Sequence, residues 1–140
     1  MLREARTYIE VTEHEEKVKR HSKFWDTQLW PKIKTFLWLL MHRKTLTWEN
    51  LRKKGFTGPS CCPMCGMEEE TMNHLFNTCD WADSIWKWAE TILQRTNRVR
   101  NSIQETIENW SGNFSNTQLV NTIWKLRLGF IAWKIWKERN

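Results

Sequence analysis

Four potential metal ligands near the middle of the chain constrain its fold most. The residues Cys62, Cys65, His74 and Cys79 follow the pattern C-x2-C-x8-H-x4-C. A C-x2-C pair followed by a later His and Cys is typical of a tetrahedral zinc site with four protein ligands. Such a site is structural, because no coordination position is left for water or substrate. The spacing therefore predicts one structural Zn²⁺ that holds together a segment poor in apolar residues.

Two alternatives follow from the same cysteines. The thiols could be structural or form disulfides, but the sequence shows no secretory signal and its basic, Lys-rich composition suits a reducing compartment. Cys61 could replace Cys62 as a ligand. That exchange would give C-x3-C and lose the Cys-Pro-x-Cys-Gly turn, so the sequence favours Cys62 and leaves Cys61 as a spare thiol.

The spacing between His74 and Cys79 predicts where the local helix ends. Residues five apart on a continuous α-helix point about 140° apart, since each residue adds about 100°. His74 and Cys79 could not both face one ion from such a helix. A helix that carries His74 should therefore end near Thr78, with Cys79 in the break and Asp80 as the N-cap of the next helix.

The whole chain is predicted to be mostly α, because apolar residues recur at helical spacing and clean alternation is absent. We expect a small helical domain organised around one structural zinc site, with a long apolar C-terminal helix. Helices are predicted at about 31–42, 47–54, 81–94 and 102–110, and from about 116 to the C-terminus. The predicted organisation is a charged N-terminal arm (1–22), a zinc-binding domain (23–95) and a C-terminal helical segment (96–140).

The predicted C-terminal helix carries apolar residues around much of its circumference. A helix of this kind is either buried in the domain's own core or exposes a surface for a partner. The sequence leaves both interpretations open. If a protein partner binds there, the candidate contact residues are Phe130, Trp133 and Trp136.

The charge distribution favours a polyanionic partner. The 140-residue chain carries a formal net charge of +6, and eleven Lys or Arg residues lie between Lys17 and Lys54, against Asp26 and Glu49. A solvated mixed surface is the alternative, but a clustered excess of this size more often marks a phosphate-binding face. The candidate phosphate contacts are Lys32, Lys34, Arg43, Lys44, Arg52, Lys53 and Lys54.

The sequence contains eleven tryptophans, an unusually large number for this length. Most are expected to fill the core, since each buries a large area in a small helical domain. Trp25 and Trp30 lie beside Lys23, Lys32 and Lys34, and they are the candidates for stacking on nucleobases. No apolar run reaches the roughly 18 residues of a membrane span, so a membrane partner is not expected.

Four motifs occur in the order and spacing of one known family. They are Trp25-x4-Trp30-Pro31-Lys32-Ile33-Lys34, His42-Arg43-x-x-Leu46-Thr47, Cys62-Pro63-x-Cys65-Gly66 and Glu70-Thr71-x-x-His74-Leu75-Phe76-x-x-Cys79. Over about residues 22–95, the sequence resembles the zinc-binding domain of reverse transcriptases from plant non-LTR (LINE-type) retroelements. The end, from Ala132 to Asn140, is similar to the segment that precedes a ribonuclease-H-like domain in those polyproteins.

The resemblance implies a structural zinc and a supporting role in nucleic-acid binding. In such polyproteins this domain follows the polymerase and is thought to help hold RNA template or target DNA. We expect a non-catalytic module that binds RNA or DNA with weak sequence specificity, since the sequence has no polymerase or nuclease carboxylate pattern and no Gly-rich phosphate loop. The alternative is a domesticated protein-interaction module, regulatory or toxic, that acts through the C-terminal helix. The family also favours an intracellular, nuclear location.

Overall fold

The computed structural model describes residues 28–94, 101–110 and 116–140, and this part of the chain is mostly helical. The predicted fold class is confirmed, with a Cys3His cluster that could hold one metal ion. Within these residues, β-structure is limited to one bridge between Cys61 and Glu69. The helices are α1 (Pro31–Met41), α2 (Trp48–Lys53), α3 (Asp80–Leu93), α4 (Ile103–Trp110) and α5 (Gln118–Arg139), with a π-helical turn (His74–Thr78) before α3.

α1 begins at Pro31, as its sequence predicts. Proline suits a first helical turn because its ring fixes a helical φ and the N–H that it lacks would be unpaired there. The helix ends at Met41, one residue before the expected end, and the N–H of His42 donates to the carbonyl of Trp38. The apolar stripe of α1 forms the centre of the core through Ile33, Phe36, Leu37 and Leu40.

α5 is the long C-terminal helix, and it packs one face into the core. Arg127, Lys134 and Lys137 lie exposed between the buried positions. Exposed cations therefore interrupt the apolar surface expected around much of this helix, although Leu119, Ile123 and Phe130 are exposed apolar residues of the same helix. The buried residues of α5 are Trp124, Leu128, Gly129, Ile131, Ala132 and Ile135.

Gly129 is a point of close approach between α5 and the residues at the start of α1. A Cβ atom at this position would lie 3.0 Å from Cδ2 of Leu29 and 3.1 Å from Cγ2 of Ile33. The absence of a side chain therefore lets the two segments pack closely at this crossing, with Leu29 and Ile33 both buried.

α3 buries only part of its apolar residues. The structure buries Ala82, Trp86 and Ala89, whereas Trp88 and Ile92 are exposed. In the sequence, the apolar residues that recur at helical spacing over this helix are Trp81, Ile85, Trp88, Ala89 and Ile92. Apolar residues lie on two sides of α3, so periodicity alone could not choose between the two faces.

The residues on both sides of the predicted boundary at 95 contribute to one hydrophobic core. Leu37 and Trp86 from the first segment belong to the same cluster as Ile107 and Leu128 from the second. The predicted N-terminal arm (residues 1–22) and Trp25 lie outside the described residues. None of the described helices is long and apolar enough to cross a bilayer.

Candidate metal centre

A tight turn presents the first two potential ligands. The N–H of Gly66 donates to the carbonyl of Cys62 over 2.8 Å, and the N–H of Cys62 donates to the carbonyl of Glu68 over 2.7 Å. Gly66 has a φ of +68°, a left-handed conformation that glycine adopts without steric cost. The chain therefore reverses around Cys65, which brings the two cysteines to the same side of the turn.

A π-helical turn presents the other two potential ligands. The hydroxyl of Thr71 accepts a hydrogen bond from the N–H of His74 at 3.0 Å, which caps the turn. The N–H of Cys79 donates to the carbonyl of His74 over 2.8 Å, an i→i+5 bond. Residues five apart lie about one turn apart in this geometry, so His74 and Cys79 face the same side.

The expected break in the helix is present, with a difference of one residue in the cap. Cys79 has φ −59° and ψ 133°, and α3 begins at Asp80. Cys79 is thus the N-cap residue, and Asp80 occupies the first helical position instead of the predicted N-cap position. A carboxylate there still interacts favourably with the positive end of the helix dipole.

The four side chains converge on one point. Their potential ligand atoms all lie within 4.8 Å of one another. The Sγ atoms of Cys62 and Cys79 are 4.0 Å apart, and Sγ of Cys65 is 3.3 Å from Nε2 of His74. A tetrahedral zinc ion with typical bond lengths needs about 3.8 Å between two sulfurs and about 3.6 Å between sulfur and nitrogen. The donor set and its spacing therefore fit one Zn²⁺.

The cluster lies mostly inside the protein, and its thiols have different environments. Cys62, Cys79 and His74 are buried, and Cys65 is half-buried. Hydrogen bonds from the backbone N–H groups of Glu68 and Met67 lower the pKa of the Cys65 thiol to about 6. Burial raises the pKa of the Cys79 thiol to about 11. A bound zinc ion would favour the thiolate of both residues, because the ion is the largest charge at such a site.

Cys61 lies outside this cluster. Its side chain is exposed, whereas that of Cys62 is buried among the other potential ligands. The backbone of Cys61 forms the single β-bridge of the described residues, with Glu69. The bridge turns neighbouring side chains to opposite sides, which is why only one of the two adjacent cysteines faces the cluster.

The zinc loop contains three consecutive glutamates, 68–70, and each lies beside a different basic residue. Oε2 of Glu68 lies 3.0 Å from Nδ1 of His74, Glu69 pairs with Arg52, and Glu70 pairs with Arg139. Nδ1 of His74 is buried and has no fully aligned hydrogen bond in the described residues. Because the Glu68 side chain is largely exposed, a small rotation could align its carboxylate with this nitrogen. The sequence did not reveal these separate contacts.

The comparison with protein-family models identifies the domain. Residues 4–86, more than half of the chain, match the family described as zinc-binding in reverse transcriptase. The chain belongs to this family. The matched region is a zinc-binding region, and Cys62, Cys65, His74 and Cys79 form a cluster in it that could hold one zinc ion. Both the predicted resemblance and the predicted zinc cofactor agree with this finding.

A curated relative fits the retroelement context. The chain is 24% identical over 115 residues to an Arabidopsis thaliana protein named provisionally as a ribonuclease H protein. The alignment covers 82% of this chain and 18% of the relative, so the zinc-binding domain corresponds to less than a fifth of that protein's length. No solved structure matches the chain.

The predicted phosphate contacts fall into two groups instead of one patch. Lys32 and Lys34 lie in the first turn of α1, and Arg43 and Lys44 follow its end. Eleven helical residues rise about 16 Å, so the length of α1 separates the two pairs. Asn50 of α2 fixes the second group, because its Nδ2 donates to the carbonyl of Arg43 over 2.8 Å.

Some of these cations have acidic partners. Arg52 pairs with Glu69, and Lys53 lies 3.1 Å from a carboxylate oxygen of Glu49. Lys32, Lys44 and Lys54 are exposed, and Nζ of Lys44 lies 5.3 Å from the centre of the Trp38 ring. The positive potential available to a phosphate is therefore weaker around α2 than the sequence alone suggests.

The three predicted partner-contact residues lie in two different places. Phe130 is 46% exposed and lines a groove between α3 and α5. Trp133 and Trp136 are half-buried beside Phe36, with ring centres 5.3 and 5.9 Å away. They line a second, larger groove of about 460 Å³ along α1. Their role in binding a partner stays a prediction.

Proposed function

We propose that this chain is a non-catalytic zinc-binding module of a retroelement reverse transcriptase, which binds RNA or DNA through its basic surface. The observation that carries the proposal is the Cys3His cluster within a region that matches zinc-binding in reverse transcriptase. Four protein ligands close the coordination sphere of a zinc ion, so the ion would stabilise the fold without contacting a substrate.

The charge of the chain supports a nucleic-acid partner. The net charge is +6, and Lys32, Lys44 and Lys54 present exposed ammonium groups at three separate points of the α1–α2 region. Lysines distributed in this way match the phosphates of a backbone and carry no base information. The proposed binding is therefore weakly sequence-specific and strongly salt-dependent. The module would be located where the reverse transcriptase acts, and the family favours the nucleus.

The test is the salt dependence of binding to a labelled single-stranded RNA, measured on the zinc-loaded protein. Each phosphate contact contributes about 0.7 to the slope of log K against log salt for a single strand. Replacing Lys32, Lys44 or Lys54 with Ala should weaken binding and reduce the slope by about this amount per contact.

Lys134→Ala is the matched control, since it removes one exposed charge that is already paired with Glu138 on α5. Its binding should equal that of the unmodified protein. A protein that binds neither RNA nor DNA at low salt, or whose binding is insensitive to salt, contradicts the proposal.

A further inference from the structure

An exposed apolar groove runs between α3 and α5, and none of the four potential zinc ligands lines it. Its cavity volume is about 250 Å³, below the roughly 300–1,000 Å³ of small-molecule pockets. Trp88 is 65% exposed and Ile92 50% exposed, although both are large and apolar. The groove is lined by Trp88, Ala89, Ile92, Arg127, Phe130 and Ile131.

Aromatic rings stand on both walls of this groove. Trp88 comes from α3 and Phe130 from α5, and Trp30 extends the second wall, since its ring lies edge-on to Phe130 with centres 6.5 Å apart. Trp30 is 70% exposed. Exposed aromatic rings cost free energy in water, so three of them around one groove indicate a surface that receives a ligand.

The charge of the groove selects the class of ligand. Among the described residues, Arg127 is the only charged one that lines the groove, and none of the described carboxylates forms an ion pair with it. Aromatic rings and guanidinium groups are the side chains on which unpaired nucleobases stack, and the cation also attracts the adjoining phosphate. The net charge of +6 on the chain adds to this attraction.

We infer that the α3–α5 groove binds the unpaired bases of a single-stranded nucleic acid, with Trp88 and Phe130 stacking on bases and Arg127 neutralising a phosphate. The inference rests on the proposed nucleic-acid function and names where the bases bind. Lys32 and Lys44 bind phosphates of the nucleic-acid backbone, whereas the groove binds only bases that are not paired with a complementary strand. Double-stranded nucleic acid keeps its bases stacked and cannot occupy the groove.

The experiment compares stacking variants with charge variants of the zinc-loaded protein. Trp88→Leu and Phe130→Leu keep an apolar side chain but remove the aromatic ring, and both positions are exposed enough for the fold to tolerate the change. Each should weaken binding of single-stranded oligo(A) RNA by roughly 5-fold to 150-fold, the range for losing one stacked base. The salt slope should stay unchanged, because no charge is removed.

Two control variants make the comparison specific. Trp88→Tyr restores an aromatic ring and should bind within about twofold of the unmodified protein. Ile123→Ala changes an exposed apolar residue of α5 that does not line the groove, and should have no effect. Single-stranded DNA of the same sequence shows whether the groove distinguishes the two sugars, and circular dichroism verifies the fold of every variant.

The outcomes separate this inference from the proposed function. If the leucine variants bind single strands as tightly as the unmodified protein while the lysine variants lower the salt slope, the nucleic-acid function stands and the groove assignment is wrong. An equal loss of duplex and single-strand binding also overturns it, since duplex bases cannot enter. Absence of all nucleic-acid binding overturns both proposals.

Discussion

Arg139, in the last turn of α5, forms a two-point ion pair with Glu70 of the zinc loop. Nε of Arg139 lies 2.7 Å from Oε1 of Glu70, and Nη2 lies 3.1 Å from Oε2. The side chain of Glu70 is 4% exposed and that of Arg139 18% exposed. The pair joins residues 69 positions apart and fixes the end of the C-terminal helix to the loop that carries the potential zinc ligands.

Replacing Arg139 with Met should destabilise the domain by about 3 kcal/mol, the lower end for breaking a buried pair, because Glu70 would remain buried without a cation. Urea unfolding of the zinc-loaded protein measures this change. Lys134→Ala, which breaks an exposed pair on the same helix, should change stability little. The double variant Glu70→Gln with Arg139→Met should be more stable than Arg139→Met alone, and an equal or larger loss would show that the ion pair is not the cause.

Glu68→Gln should weaken zinc binding by about tenfold to a hundredfold, the usual effect of removing a carboxylate that orients a metal-binding histidine. Glu68 lies 3.0 Å from Nδ1 of His74, and its charge would hold the proton on that nitrogen, which leaves Nε2 free to bind the ion. Competition with a chromophoric chelator measures the affinity. Glu69→Gln is the neighbouring control, since Glu69 pairs with Arg52 instead, and an equal effect of the two variants would contradict this role.

Removing zinc with a chelator should unfold the turn around the cluster and lower the helical signal in circular dichroism. The expectation follows because the binding energy of a structural zinc ion contributes directly to folding. Cys65→Ser and His74→Ala should each bind less than one zinc per chain and show the same loss without a chelator. Metal content and helicity measured on the same samples test this, and an unchanged fold without metal would contradict it.

The two adjacent cysteines should behave differently. Cys62→Ser should lose zinc, because Cys62 is buried and its Sγ lies 4.0 Å from that of Cys79. Cys61→Ser should retain one zinc per chain, because its exposed side chain lies outside the cluster. Mass spectrometry under native conditions counts the bound ions. Full zinc content in Cys62→Ser would mean that Cys61 can take its place.

The ligand set and the break after His74 could be predicted because zinc geometry restricts the spacing of its ligands. The π-turn could not be predicted. The sequence places Cys79 five positions after His74, and both an interrupted α-helix and a widened turn satisfy that separation. The structure does both, since an i→i+5 hydrogen bond closes at Cys79 and α3 begins at the next residue. π-turns are rare and have no composition that identifies them.

The buried face of α3 could not be predicted for a different reason. Trp86 and Trp88 both lie in apolar rows at helical spacing, so the choice depends on tertiary contacts. The indole N–H of Trp86 donates to the carbonyl of Phe76 over 2.7 Å, which satisfies the polar atom of a fully buried ring. Trp88 remains at the surface. The helices themselves were predictable because proline, glycine and capping residues mark their ends.

The pairing of Glu70 with Arg139 also bears on synthesis of the protein. Arg139, which neutralises Glu70, lies 69 positions further along the chain than that glutamate. All four cluster residues therefore leave the ribosome well before Arg139. At about 5–20 residues per second, the delay is roughly 3–14 seconds. During this interval a nascent chain could already capture zinc, but its loop would expose an unpaired carboxylate and the apolar surface that α5 later covers. When α5 is complete, it would pair with the carboxylate, cover the apolar surface and so stabilise the metal-bound intermediate.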